Sequence, residues 1–189
     1  MGATPILQTE ELALQPINRR LYEDFMAAHL EDPEGTFSAL PGVDPNESIN
    51  TQFADLLFEL EVHSNLGNIH FWSIHFEGVF VGLVGLGDEL QAEGSKWNLG
   101  YWVRSSARKT GIAVKGVNLV FSWLNNLDSK VQVEITVHPE NIAGLNTCKS
   151  ICNNWNGVRA KPDYWPVEIR GRTVLHTMWL VTLGGSSLE

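Results

Sequence analysis

The chain is short of the features that announce a class, and each shortage removes one. Only two residues are cysteine, Cys148 and Cys152. Their C-x-x-x-C spacing is not the redox C-x-x-C, and no second Cys or His pair completes a zinc site, so the thiols are expected to be reduced. The six histidines, His29, His63, His70, His75, His138 and His176, share no ligand spacing, and no metal is expected. No apolar run approaches the roughly 18 residues of a membrane span. Cations are scarce, with 13 Lys and Arg against 22 Asp and Glu and a net charge of −9. Nucleic-acid and membrane surfaces need dispersed Lys and Arg, so neither partner is expected. The start, Met1-Gly2-Ala3-Thr4-Pro5-Ile6, lacks the hydroxyl residue that myristoylation requires at the sixth position and carries no signal-peptide pattern, which points to the cytoplasm.

What is present is the composition of an ordinary folded domain. A hydrophobic fraction of 43% with 19% charged residues gives a core without disorder. One domain is expected over residues 1–183, burying roughly 70% of its unfolded surface. Residues 184–189 read as a flexible tail, with Ser186-Ser187-Leu188-Glu189 resembling a cloning remnant. An acidic surface suits a cationic amine or a basic peptide.

Periodicity orders the elements. Residues 1–10 read as a lead-in, and Leu12, Leu14 and Pro16 as a first strand. Asn18 can cap a helix through about Leu30, and residues 31–46, dense in Pro, Gly and acid, read as loop. Ser48 to Val62 is apolar at helical spacing, and residues 69–76 and 79–87 form a hairpin about Glu77-Gly78. Gly82, Gly85 and Gly87 in its second strand spell G-x-x-G-x-G, not a dinucleotide fingerprint; close approach of another backbone, or a bulge, explains them more simply. Val131 to Val137 alternates, placing Gln132, Glu134 and Thr136 on a polar face that could look into a cleft. Asn141 is a natural cap for a helix bearing Cys148, Cys152 and Trp155, and residues 158–169 and 173–183 form a closing hairpin about Arg170-Gly171-Arg172.

The most informative stretch is Arg104-Ser105-Ser106-Ala107-Arg108-Lys109-Thr110-Gly111-Ile112-Ala113, between the aromatic strand Trp97–Val103 and a helix carrying Ala113, Val117, Val120, Phe121 and Leu124. It gathers three cations where a helix presents unpaired N–H groups and the positive end of its dipole, a combination suited to phosphate. Arg108-Lys109-Thr110-Gly111-Ile112-Ala113 resembles the Q/R-x-x-G-x-G/A signature of the GNAT acyltransferases, and its surroundings, "LGYWVRSSARKTGIA", resemble the RimJ/RimL-type branch. His138-Pro139-Glu140-Asn141-Ile142-Ala143 matches a second segment of that family. The motif-specific likeness covers 97–144, and the order of elements roughly 11–183.

The resemblance implies an α/β (α+β) fold with a central mixed, mostly antiparallel twisted sheet of about seven strands, about four flanking helices, and a splayed strand pair at the cofactor cleft. It implies acetyl-CoA, with Arg108, Lys109, Thr110, Gly111, Ile112 and Ala113 around its diphosphate, the backbone of Trp102 and Val103 along the pantetheine and thioester, and Asn141 on the cofactor arm. The implied activity is transfer of acetyl to a primary amine, a protein N-terminus or a small molecule, by direct attack in a ternary complex. Glu134 is a candidate base acting through water, against the reading of a solvated charge. Cys148, where many relatives place a tyrosine acid, is a candidate proton donor, against simple packing. Gly144 departs from the Ser usual in RimJ/RimL relatives, and Cys152-Asn153 from a Gly-aromatic pair, which keeps a second reading in view: an acyl-CoA-binding regulatory module with little turnover. A homodimer stays open.

Overall fold

The computed structural model describes residues 2–40, 42–169 and 171–185, which group into two compact units, Met1–Leu86 with Tyr101–Gly116 and Gly87–Gly100 with Val117–Glu189. Among the described residues there are nine strands and five α-helices, a mixed α/β fold in which, within each unit, β5 and β6 pair in parallel and the other pairs are antiparallel.

In the first unit, β1 (Leu7–Gln8), β2 (Leu12–Pro16), β3 (His70–Phe76) and β4 (Val79–Gly87) lie side by side in that order. Leu12 and Leu14 are buried and Gln15 is exposed, the alternation of a strand with one covered face. β4 is buried along nearly its whole length and admits glycine where neighbours press closest. A Cβ on Gly82 would lie 2.2 Å from the Trp102 carbonyl oxygen, the close backbone approach expected from the sequence, and one on Gly85 would lie 2.2 Å from the Phe71 ring. The turn between β3 and β4 uses Glu77 and Gly78, both at positive φ (49° and 80°).

The helices of this unit follow their caps. The Asn18 side chain accepts from the Arg20 N–H at 3.0 Å and opens a 3-10 turn, after which α1 runs over Tyr22–Glu31. The stretch read as loop contains α2 (Pro33–Ala39), with Asp32 as N-cap and Pro33 at its first position. α3 (Ile49–Leu66) ends on Gly67 in the left-handed region. Phe25, Phe53, Leu57, Phe80, Leu83 and Trp102 form the shared core, with Trp102 edge-on to Phe25 at 5.6 Å.

In the second unit, the first part of β5 (Trp97–Val103) pairs in parallel with β6 (Val131–Val137) through Trp97↔Val133 and Asn98↔Glu134. β9 (Arg172–Leu183) pairs antiparallel with all of β6, from Val131↔Leu183 to Val137↔Thr177. It also carries β7 (Val158–Arg159) and β8 (Trp165–Ile169). The segment read as one strand over 158–169 is thus two, broken around Pro162, which has no N–H to give a ladder. α4 (Ile112–Asn125) crosses from one unit's residues to the other's, and its Val117, Val120, Phe121 and Leu124 are fully buried. α5 (Ile142–Trp155) follows β6. Of the predicted tail, Gly184 is tied by its N–H to the Asn125 side chain at 3.1 Å; Arg170 of the closing turn and residues 186–189 lie outside the described residues.

Candidate active site

The basic loop leaves β5 as a 3-10 turn, Ser105–Ala107, straightens at Arg108 and bends twice, at Lys109 (φ 64°) and Gly111 (φ 78°). The Gly111 carbonyl accepts the first helical bond from the Lys115 N–H at 3.0 Å, so α4 starts directly at the bend. Its first turn bears no acid, and the N–H groups of that turn have no partner inside the helix. Buried Ile112 anchors the helix, and Thr110 donates its hydroxyl to the Ala107 carbonyl. Lys109, Thr110 and Gly111 are exposed, and a Cβ on Gly111 would meet nothing within 4 Å. A diphosphate therefore fits this bend in room, in sign and in the donors offered.

The charge of the loop is smaller than its sequence suggests. Glu31, the last residue of α1, accepts from the Arg104 guanidinium through one oxygen and from the Ser106 N–H at 3.1 Å through the other. The Arg104 side chain also donates to the Phe80 carbonyl at 2.9 Å and is 17% exposed. Asp32 receives the Gly35 N–H on one oxygen and the Arg108 guanidinium on the other, while Arg108 Nε donates to the Val103 carbonyl at 3.1 Å. The Arg104 hydrogen bond holds the Glu31 carboxyl down at about 2. The Gly35 N–H, then Arg108, hold Asp32 below its ordinary value. Two of the three loop cations are thus matched by acids; the third, Lys109, is exposed.

The other candidates belong to the second unit. Glu134 does not face a cleft, nor is it a solvated charge: its side chain is 0% exposed. One oxygen accepts from the Gln91 N–H at 2.8 Å and from Asn98 Nδ2 at 3.2 Å, and the other from the Ala92 N–H at 2.9 Å. Alternation along β6 put Glu134 on a polar face, and the segment before β5 covers that face with its own amides. Cys148 is also fully buried, its Sγ 4.0 Å from that of Cys152. The contact with Cys152, then burial, pushes the Cys148 thiol far up, so it is held as S–H within packing.

Asn141 caps α5, its Oδ1 accepting the Gly144 N–H at 2.8 Å. A Cβ at Gly144 would sit 2.7 Å from Asn141 Nδ2 and 3.0 Å from Val137 Cγ1, so the missing hydroxyl residue is matched by an asparagine amide lying over that position. The altered end of α5 is equally coherent. Trp155 packs edge-on to Phe121 at 5.7 Å and donates from Nε1 to Asn118 at 2.8 Å, and Asn156 closes the helix in the left-handed region. His138 and His176 rings meet at 5.5 Å, and burial lowers the His176 pKa. Among the described residues no group of His, Cys, Asp and Glu could hold a metal ion, and no helix is long and apolar enough to cross a membrane.

A strand that ends in a cationic, glycine-bearing bend and opens directly into a helix is an arrangement that α/β proteins use to meet anions. The family model for the acetyltransferase (GNAT) domain matches residues 11–151. The chain belongs to the GNAT acetyltransferase family, whose members transfer acetyl from acetyl-CoA. Its fold is shared by the acetyltransferase from Salmonella typhimurium that modifies the N-terminal serine of ribosomal protein L7/L12 (TM-score 0.72, 10% identity, 94% of this chain and 98% of that one). A RimL structure in complex with coenzyme A gives a TM-score of 0.71 at 10% identity, covering 96% and 100%. The microcin C7 self-immunity acetyltransferase MccE, in complex with acetyl-CoA and AMP, gives 0.72 at 9% identity, covering 93% and 94%. No curated protein matches the sequence.

Proposed function

We propose that this enzyme acetylates primary amines that are already partly neutral near pH 7, with protein N-termini foremost and small amines second. The observation that carries the acyl-CoA half is the bend at Lys109 and Gly111, exposed, free of acid and opening α4. In this reading the first-turn amides of α4 and Lys109 hold the diphosphate, and the backbone of Trp102 and Val103 lies along the pantetheine arm. In the second unit Asn141, kept in place by its own capping bond, is the candidate cofactor contact. Bound acetyl-CoA supplies an activated thioester carbonyl.

The acceptor half follows from the burial of Glu134 and Cys148. With one carboxylate saturated by donors and one thiol packed away, neither serves as a solvent-facing base or acid. Attack then needs an amine that sheds its proton unaided. An α-amino group, with a pKa of about 7.7–8.0 against about 10.4 for lysine, offers on the order of several hundredfold more free base at neutral pH. Net charge −9 suits a cationic acceptor and opposes nucleic-acid or membrane partners, and the chain is read as cytoplasmic.

A thiol-release assay with acetyl-CoA across N-terminal peptides, polyamines and aminoglycosides tests this. Turnover on peptides with free α-amines, falling as the amine pKa of the acceptor rises, is the expected result. CoA binding without release on any amine would leave the regulatory module, a reading that the burial of both proton-transfer candidates also favours.

A further inference from the structure

We infer that the corner between α1 and α2 is a brace for the diphosphate loop, with Glu31, Asp32 and Gly35 as positioning residues and Arg108 the strut between them; this rests on the loop's binding acetyl-CoA. Glu31 and Asp32 are consecutive, at the last turn of α1 and the cap of α2, and each takes one arginine of the loop. Glu31 holds the loop's beginning, through Arg104 and the Ser106 N–H. Asp32 holds its centre, through Arg108, which also returns to the end of β5 at the Val103 carbonyl. The loop is therefore tied at three places before the two left-handed bends.

Gly35 shows that the corner is shaped around this contact. A Cβ there would lie 2.1 Å from Asp32 Oδ2 and 2.8 Å from Arg108 Nη2, so any other residue would wedge the pair apart. Asp32 divides its oxygens between capping α2 and holding Arg108, which makes the start of α2 and the shape of the loop one arrangement. The value to binding is order. A loop already in its ligand-bound shape does not lose that freedom when the diphosphate arrives. Arg108 then acts through loop geometry, and direct charge at the diphosphate falls to Lys109 and the helix amides.

Two variants separate this from a simple electrostatic role. Asp32→Asn keeps a good N-cap and the shape of the side chain but loses the ion pair. Gly35→Ala changes no charge and displaces the pair. Hydrogen exchange on the free protein should be faster at the amides of residues 104–111 in both variants, with overall melting little moved. Calorimetric titration with CoA should give affinity weaker by roughly 1.5-fold to fivefold in both, the range of a partly exposed ion pair. At roughly 0.15 M salt the Debye length of about 8 Å suppresses the long-range gain from removing an anion. In turnover the loss should fall on KM for acetyl-CoA more than on kcat. Tighter CoA binding by Asp32→Asn would show that the acid competes with the ligand for Arg108 and would overturn the brace. Unchanged exchange and affinity in both variants would overturn it too. A wild-type protein that binds no CoA would instead remove the reading beneath it, while the exchange result would still report on the brace.

Discussion

Replacing Glu134 by glutamine asks whether this carboxylate moves a proton or holds a segment in place. In the native site both oxygens are acceptors, to the N–H groups of Gln91 and Ala92 and to Asn98 Nδ2. Glutamine keeps one oxygen, so on the other side an NH2 group must face a backbone N–H. At 0% exposure no water relieves that confrontation. Hydrogen bonds to charged groups contribute about 1.5–3 kcal/mol each, and a buried donor left without an acceptor costs about 1–3 kcal/mol. A net loss of about 2–3 kcal/mol follows, allowing Asn98 to swing and recover part of it. For a chain of this size each kcal/mol moves Tm by about 2–4 °C, so melting should fall by about 4–12 °C. Calorimetry gives that number, and the pH dependence of kcat/KM, measured well below the new Tm, gives the other half. The profile should keep its shape. Unaltered melting, together with activity lost selectively at low pH where free amine is scarcest, would refute the structural role and restore Glu134 as the base.

The loop, the sheet and the acid limb give further tests. Arg108→Ala combined with Gly111→Val removes the strut and forces a β-branched residue to a φ of 78°; acetyl-CoA affinity should fall without unfolding, and unchanged calorimetric affinity would take the loop out of the account. Gly82→Ala sets a Cβ 2.2 Å from the Trp102 carbonyl, a backbone atom that cannot rotate away, and should cost about 1–3 kcal/mol in denaturant unfolding, whereas Gly100→Ala meets nothing within 4 Å and should be near neutral. His70, fully buried with Nδ1 3.0 Å from Thr4 Oγ1, is pushed by burial to about 4. Its folded pKa lies below the ordinary 6.5, so its contribution is whole above pH 6.5 and is lost as pH falls toward about 4. Glu31, held down at about 2, gives stability that is whole above about 4.5 and lost as pH falls through 2. Stability against pH should therefore show two acid steps, with Glu31→Gln flattening the lower one alone.

How much of this was legible in the chain depended on how local the cause was. Asn18 and Asn141 mark helix starts by chemistry within a few residues, and the 3-10 turn leading into α1 and the start of α5 lie there, whereas α3 runs on past Val62, where its apolar spacing ends, to Leu66. Gly82 was legible as a place of close approach, although not what approached. α2 was missed because Asp, Pro and Gly in 31–46 were weighed as breakers, while Asp32-Pro33 is also an N-cap followed by a proline at N1. Glu134 was misplaced because strand alternation assigns a face and says nothing of what covers it; its donors come from Gln91 and Ala92, some forty residues earlier. The pairing of Arg104 and Arg108 with Glu31 and Asp32 is equally non-local, and counting cations within six residues overstated the charge of the loop. The consecutive acids ahead of a proline were the available signal.

In the proposed enzyme the bend at Lys109–Ala113 receives the diphosphate of acetyl-CoA. Backbone amide spectra of the protein titrated separately with CoA and with pantetheine, which lacks the diphosphate, test it most directly. CoA should shift and protect the amides of residues 109–113, while pantetheine should leave them where they were. CoA binding that leaves those five amides untouched, or equal shifts from both ligands, would contradict it.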